Sequence, residues 1–166
     1  IFRNVIAIVL GLAIGAWVNM FIVMKGSLPE GVNMQNLAES MHLFEAEHFV
    51  FPILGHALGT LAGALIAGLV AATYKFRFAM TIGVFFLFGG IANIFMLHFP
   101  ILPAIIDLSL AYLPMGFIAG KLTEKIGLGV SARYIWSNLI GSGTGAAKAA
   151  TSFAVDLGFY YTNPIV

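Results

Sequence analysis

An all-α membrane protein, an antiparallel bundle of four transmembrane helices followed by a β-hairpin, is the fold class this sequence predicts. Three observations carry it. Hydrophobic residues make up 60% of the 166 and charged ones only 9%, at a mean hydropathy of +0.99, far to the apolar side of soluble domains. The apolar residues gather into four runs long enough, at about 1.5 Å per helical residue, to cross a hydrocarbon layer of about 30 Å. Beyond residue 125 the pattern changes from helical to alternating. The absence of cysteine excludes disulfides and thiolate metal centres. A net charge of +1 provides no basic face for nucleic acid.

The first helix is expected over residues 1–24, where only Arg3, Asn4 and Asn19 interrupt the apolar run, and Gly11 and Gly15 share one face. The chain opens at Ile1 rather than Met, so a missing start, a cleaved leader or a fusion are open, although this run is too long for a signal peptide. Residues 25–47 hold Glu30, Glu39, Glu45 and Glu47, four of the seven acids, and begin with the turn former Pro29-Glu30-Gly31. Within them Met34, Leu37, Met41 and Phe44 recur at helical spacing, which predicts an amphipathic surface helix over about 33–44 with Asn33 or Asn36 as its cap; a solvated loop is the alternative.

The second helix, 49–73, tolerates Pro52 in its first turn and carries the stripe Gly55, Gly59, Gly63, which Ala67 extends. The short connector 74–77 makes the third helix, 78–97, return antiparallel. The fourth runs from about 100 to 121, with Pro114 freeing the Leu110 carbonyl and kinking it, and with Gly116 and Gly120 repeating the small-residue spacing. Arg3, Lys75, Arg77, Lys121 and Lys125 fall on one side of this topology against Lys25 on the other. The positive-inside rule then places both ends of the helical unit, 1–125, in the cytoplasm of a bacterium, with the acidic segment outside the inner membrane.

Each helix carries one strongly polar residue near its outer end: Asn19, His56, Asn93 and Asp107. All lie about four to seven residues inside, and so share one depth. A carboxylate in hydrocarbon is costly, so Asp107 is expected to face inward with His56 as its partner. Interhelical hydrogen bonding alone accounts for such a layer, and a proton or ion relay through His56 and Asp107 is the functional alternative. Above it, His42, Glu45, Glu47, His48 and His98 converge on the outer mouth in this topology; imidazole and carboxylate donors suit zinc or iron. No HExxH pattern accompanies them, and no cofactor is otherwise predicted. Nucleophile elbow, Walker loop and dinucleotide fingerprint are absent; Gly141-Ser142-Gly143-Thr144-Gly145 lacks the Gly-Lys-Ser/Thr ending and reads as a turn.

In the tail, 126–166, Val130, Ala132, Tyr134 and Trp136 alternate with Ser131, Arg133 and Ser137, and Phe153, Val155, Leu157, Phe159 and Tyr161 with Ser152, Ala154, Asp156, Gly158 and Tyr160. These read as two strands of about ten residues with one apolar face, either barrel-like or a small cytoplasmic hairpin. Arg133–Leu139 and Ser152–Tyr161 resemble a strand pair of the PorV-type, FadL-like barrels of the Bacteroidetes type IX secretion system. That resemblance implies attachment of secreted cargo, a role two strands do not fulfil. Through Met41–Phe44 and His56–Leu61, the first 125 residues resemble uncharacterised four-helix inner-membrane proteins of the same phylum, a resemblance that implies no activity. Two strands cannot close a barrel, and their edges would be unsatisfied in lipid. The tail therefore reads as a fused segment or as a partner for strands of another protein.

Glycine faces without a catalytic signature imply an accessory or scaffold subunit of a larger membrane complex, and not an enzyme. Its partners would be the lipid bilayer and other integral membrane proteins or further copies of the chain. The alternatives are a small proton or ion transporter using Asp107 and His56, and a membrane metal-binding protein or enzyme using the outer histidines.

Overall fold

The first three apolar runs form α1 (Phe2–Val23), α2 (Val50–Val70) and α3 (Lys75–Leu97), and the fourth is divided into α4 (Ile101–Leu110) and α5 (Leu113–Lys125). The structure, a computed structural model, describes residues 2–139 and 148–162. Among these residues, four stretches are helical, long and apolar enough to cross a membrane: Phe2–Val23, Ala46–Val70, Lys75–Leu97 and Ile101–Lys125. The chain divides into two compact units, Ile1–Lys125 and Ile126–Val166.

Glycine sets the packing of the helical unit. A Cβ on Gly11 would lie 2.8 Å from the Gly63 carbonyl oxygen, one on Gly15 2.9 Å from that of Gly59, and one on Gly55 2.8 Å from Asn19 Oδ1. Position rises along α1 as it falls along α2, so the two helices are antiparallel. Only hydrogen on the facing Cα atoms permits backbones this close, where Cα–H···O contacts add to dispersion. The same device joins α3 to α5, with Gly116 against the Gly83 backbone and Gly120 under the Phe76 ring. Between the helices the core is small-chained: Ala64, Ala67, Ala79, Ile82 and Ala119, flanked by Leu12, Leu61 and Phe86. Large apolar side chains point outward instead, and Trp17, Phe88, Phe95, Ile101 and Leu102 are all at least two-thirds exposed.

Polar contacts decide where the helices end. Arg3 Nε donates to the Val70 carbonyl at 2.6 Å, and Asn4 Oδ1 accepts the Ala72 N–H at 2.9 Å. These bonds take up backbone groups at the C-terminus of α2, which stops at Val70 rather than continuing to residue 73. Tyr74 then turns the chain in the left-handed region, at φ 51°, and α3 starts at Lys75 instead of 78. Lys75 and Arg77 thereby sit in the first turn of α3. The Arg77 guanidinium lies 4.9 Å from the Tyr74 ring and Lys121 Nζ 5.1 Å from Phe76. Start of α1, end of α2, start of α3 and end of α5 therefore gather at one end of the unit, with their cationic residues.

The expected surface helix over 33–44 does not form. Residues 34–40 are successive turns, followed by short 3₁₀ helices at Met41–Leu43 and Ala46–Phe49. Asparagine side chains compete with the backbone here: Asn33 Oδ1 accepts the N–H groups of Gln35 and Asn36 at 2.9 and 3.2 Å. Asn36 in turn accepts the Asn33 N–H at 2.7 Å and donates to the Gly31 carbonyl at 3.1 Å. Such local bonds replace the helical ladder. The segment is anchored by buried Met41 and Phe49, the latter edge-on to Phe99 at 4.9 Å.

In the second unit, β1 (Ile126–Leu139) and β2 (Lys148–Tyr161) form a two-stranded antiparallel sheet, in register from Ile126↔Tyr161 to Leu139↔Lys148. Each strand is 14 residues long, against the ten expected. Alternation puts Tyr134, Trp136, Phe153, Val155, Leu157 and Phe159 on one exposed side. Arg133 Nη2 meets Asp156 Oδ2 at 2.7 Å on the other, beside Ser131 Oγ at 3.1 Å. The run Gly141–Gly145 lies outside the described residues.

Candidate functional site

Pro114 has no N–H for the Leu110 carbonyl, and its ring clashes with the preceding turn. The fourth apolar run consequently breaks at Ala111-Tyr112 instead of merely kinking. In an unbroken helix residues five apart point about 140° away from each other. The break removes that constraint: the Tyr112 hydroxyl turns back and donates to Asp107 Oδ2 at 2.9 Å. Its ring fits because Gly90 has no side chain; a Cβ there would overlap the phenol.

Asp107 is 2% exposed. From α2, His56 Nδ1 lies 2.9 Å from both Asp107 oxygens. The imidazole and phenol rings are 5.7 Å apart and tilted by 31°. A buried carboxylate is costly to desolvate unless its lone pairs are satisfied, and these two donors do so. Donating Nδ1–H to the carboxylate fixes the tautomer of His56 and leaves Nε2 as an acceptor in the neutral ring or a donor in the imidazolium.

Beside this triad is a partly open cavity of about 290 Å³. Its polar walls are Asn19, His56, Thr60, Asn93 and Tyr112, and Phe86 supplies an apolar one. Gly59, Gly89 and Gly90 complete the lining, and at Gly89 a Cβ would meet nothing within 4 Å. Thr60 Oγ1 and Asn19 Oδ1 are buried and have no hydrogen-bond partner among the described residues. The structure thus brings Asn19, His56 and Asn93 to one cavity and Asp107 into contact with His56. Tyr112 and Thr60 escaped the sequence reading. The signal for Tyr112 was a tyrosine two positions before a proline inside an apolar run, and Thr60 lies one turn beyond His56 on the same face.

The outer metal site is not assembled. Among the described residues no three histidine or carboxylate side chains group as metal ligands. Each histidine has local work instead. His42 Nδ1 is 3.0 Å from the Glu39 carbonyl. His48 Nδ1 accepts the Glu45 N–H at 3.1 Å, while the Glu45 side chain takes the His48 N–H, closing a reciprocal cap ahead of α2. His98 ends α3 in the left-handed conformation, at φ 51°. Glu47, in the first turn of that 3₁₀ helix, is exposed. The packing glycines Gly11, Gly15, Gly55, Gly59, Gly63, Gly116 and Gly120 are all buried within the helical unit.

Fold and site together define a predominantly helical protein with four candidate membrane spans and a buried histidine–aspartate–tyrosine triad beside a polar cavity. Comparison with known proteins finds no match to the chain, whether a protein-family profile, a curated protein or a solved structure.

Proposed function

We propose that the chain is a multi-pass protein of a bacterial inner membrane, its four spans packed as an up-and-down bundle with both ends of the helical unit in the cytoplasm. In this reading it is a small transporter that couples solute movement to a proton held by the His56–Asp107 pair. One observation carries the transport reading: a fully buried carboxylate bonded to a histidine and a tyrosine that themselves form part of the wall of a polar cavity. Ionisable groups in a membrane are costly, and they mark ion or proton pathways more often than they serve as packing. Exposed aromatic and aliphatic side chains around α1, α3 and α4 suit lipid as their solvent. Arg3, Lys75, Arg77 and Lys121, gathered at one end, support the orientation.

An accessory or scaffold role rests on glycine faces without a catalytic signature. Those glycines are occupied by helices of the same chain, which favours the transport reading. Reconstitution tests it: proteoliposomes containing the protein and an internal pH indicator should pass protons when a permeant solute gradient is imposed, and Asp107→Asn should abolish the flux. Wild-type rates equal to those of protein-free liposomes would refute it.

A further inference from the structure

We propose that the cavity beside Asp107 binds a small organic ammonium ion, a primary amine of few heavy atoms, and that this cation and the second proton of His56 alternate as counter-charge to the carboxylate. The inference deepens the transport reading and rests on it.

Charge comes first. Two titratable groups line the cavity, His56 from α2 and Tyr112 from the break between α4 and α5, and Asp107 of α4 lies directly behind both, 2.9 Å from each. The walls from α1 and α3 contribute Asn19, Phe86 and Asn93, none of them charged. With neutral His56 the site carries one buried negative charge, and with imidazolium it carries none. A monovalent cation is therefore accepted in the first state and rejected in the second. An anion meets the carboxylate in both, and among the described residues no group of three histidine or carboxylate side chains is present to hold a divalent ion.

Hydrogen bonding narrows the class. Thr60, 1% exposed, presents an Oγ1 with no partner among the described residues, and Asn19 Oδ1 is likewise buried and unpartnered. Leaving such an acceptor unsatisfied costs about 1–3 kcal/mol, so the occupant should donate. A primary ammonium has three N–H donors, and the Phe86 and Tyr112 rings in the walls suit a cation as well. Size sets the remaining bound. At about 290 Å³ the cavity lies near the lower end of ligand pockets, which start at about 300 Å³. It is far larger than one water's share of about 30 Å³, so a bare alkali ion would be loosely held.

The test is calorimetric titration of the detergent-purified full chain with methylammonium chloride. Saturable binding with a Kd of roughly 1 mM or tighter is expected, strengthening as pH rises because the proton on His56 competes with the cation for the carboxylate. Tetramethylammonium, equally charged but without N–H donors, should bind at least about tenfold more weakly, and Thr60→Val should weaken methylammonium about tenfold. Gly89→Leu enlarges a side chain in the cavity lining, at a position where a Cβ meets nothing within 4 Å, and should weaken methylammonium binding at least about tenfold. Absence of saturable methylammonium binding, indifference to Gly89→Leu, or binding unchanged by pH and by Asp107→Asn overturns the inference. Binding without proton flux overturns the transport reading alone, and flux without methylammonium binding overturns this inference alone.

Discussion

Gly63→Ala probes the seam between α1 and α2 with a single methyl group. The added Cβ would lie 2.5 Å from the Gly11 carbonyl oxygen and 3.1 Å from the Gly15 Cα, about 0.9 Å short of ordinary contact at 3.4 Å. Both neighbours are backbone, so neither moves without its helix. Overpacking of this kind costs roughly 1–3 kcal/mol. A gap of 0.5–1 Å also forfeits about a quarter to a half of the dispersion energy at each contact it opens, and the seam includes Gly11, Gly15, Gly55 and Gly59. Helix propensity returns up to about 1 kcal/mol, for a net destabilisation of about 2 kcal/mol. Gly89→Ala is the internal control: the same methyl meets nothing within 4 Å and should be neutral or stabilising by up to about 1 kcal/mol. Unfolding midpoints in micelles of rising sodium dodecyl sulfate measure both. Equal midpoints for the two variants would refute the account of the seam.

Tyr112→Phe removes one of the two donors to buried Asp107 and should cost about 1.5–3 kcal/mol in the same assay, whereas Tyr134→Phe on the exposed face of β1 should not shift the midpoint. His56→Ala leaves the carboxylate without its basic partner and should cost about 3–5 kcal/mol; in the Asp107→Asn background the same change should cost far less, and the double-mutant cycle reads the coupling directly. Because the chain has no cysteine, Ser27→Cys and Thr73→Cys can each be labelled singly in inverted and right-side-out vesicles. A membrane-impermeant thiol reagent should reach them from opposite sides, and labelling from the same side contradicts the four-span topology.

The apolar runs, the small-residue stripes and the change of period near residue 125 were legible in the chain because each is a one-dimensional property. Length in apolar residues, glycine spacing and alternation require no knowledge of neighbours. Helix ends were less legible. The side chains that terminate α2, Arg3 and Asn4, are some 67 and 68 positions away from the backbone groups they bond. The segment 33–44 misled for another reason: its apolar spacing is helical, but Asn33 and Asn36 offer the backbone nearer partners.

By itself the sequence determined that four segments are long and apolar enough to cross a membrane, and that Asn19, His56, Asn93 and Asp107 are the polar exceptions within them. Tertiary structure decided which exceptions meet. His56 reaches Asp107 across 51 positions, and Tyr112 joins them only because Pro114 breaks the helix and frees a contact five residues apart from helical geometry. It also decided that the outer histidines serve local structure, since the His42 and His48 rings find backbone partners three residues away and the His98 backbone N–H closes the end of α3 on Ile94. The cavity belongs to neither helix pattern alone. It is the space left between α1, α2, α3 and the Tyr112 ring, with Gly89 adding no side chain to its wall.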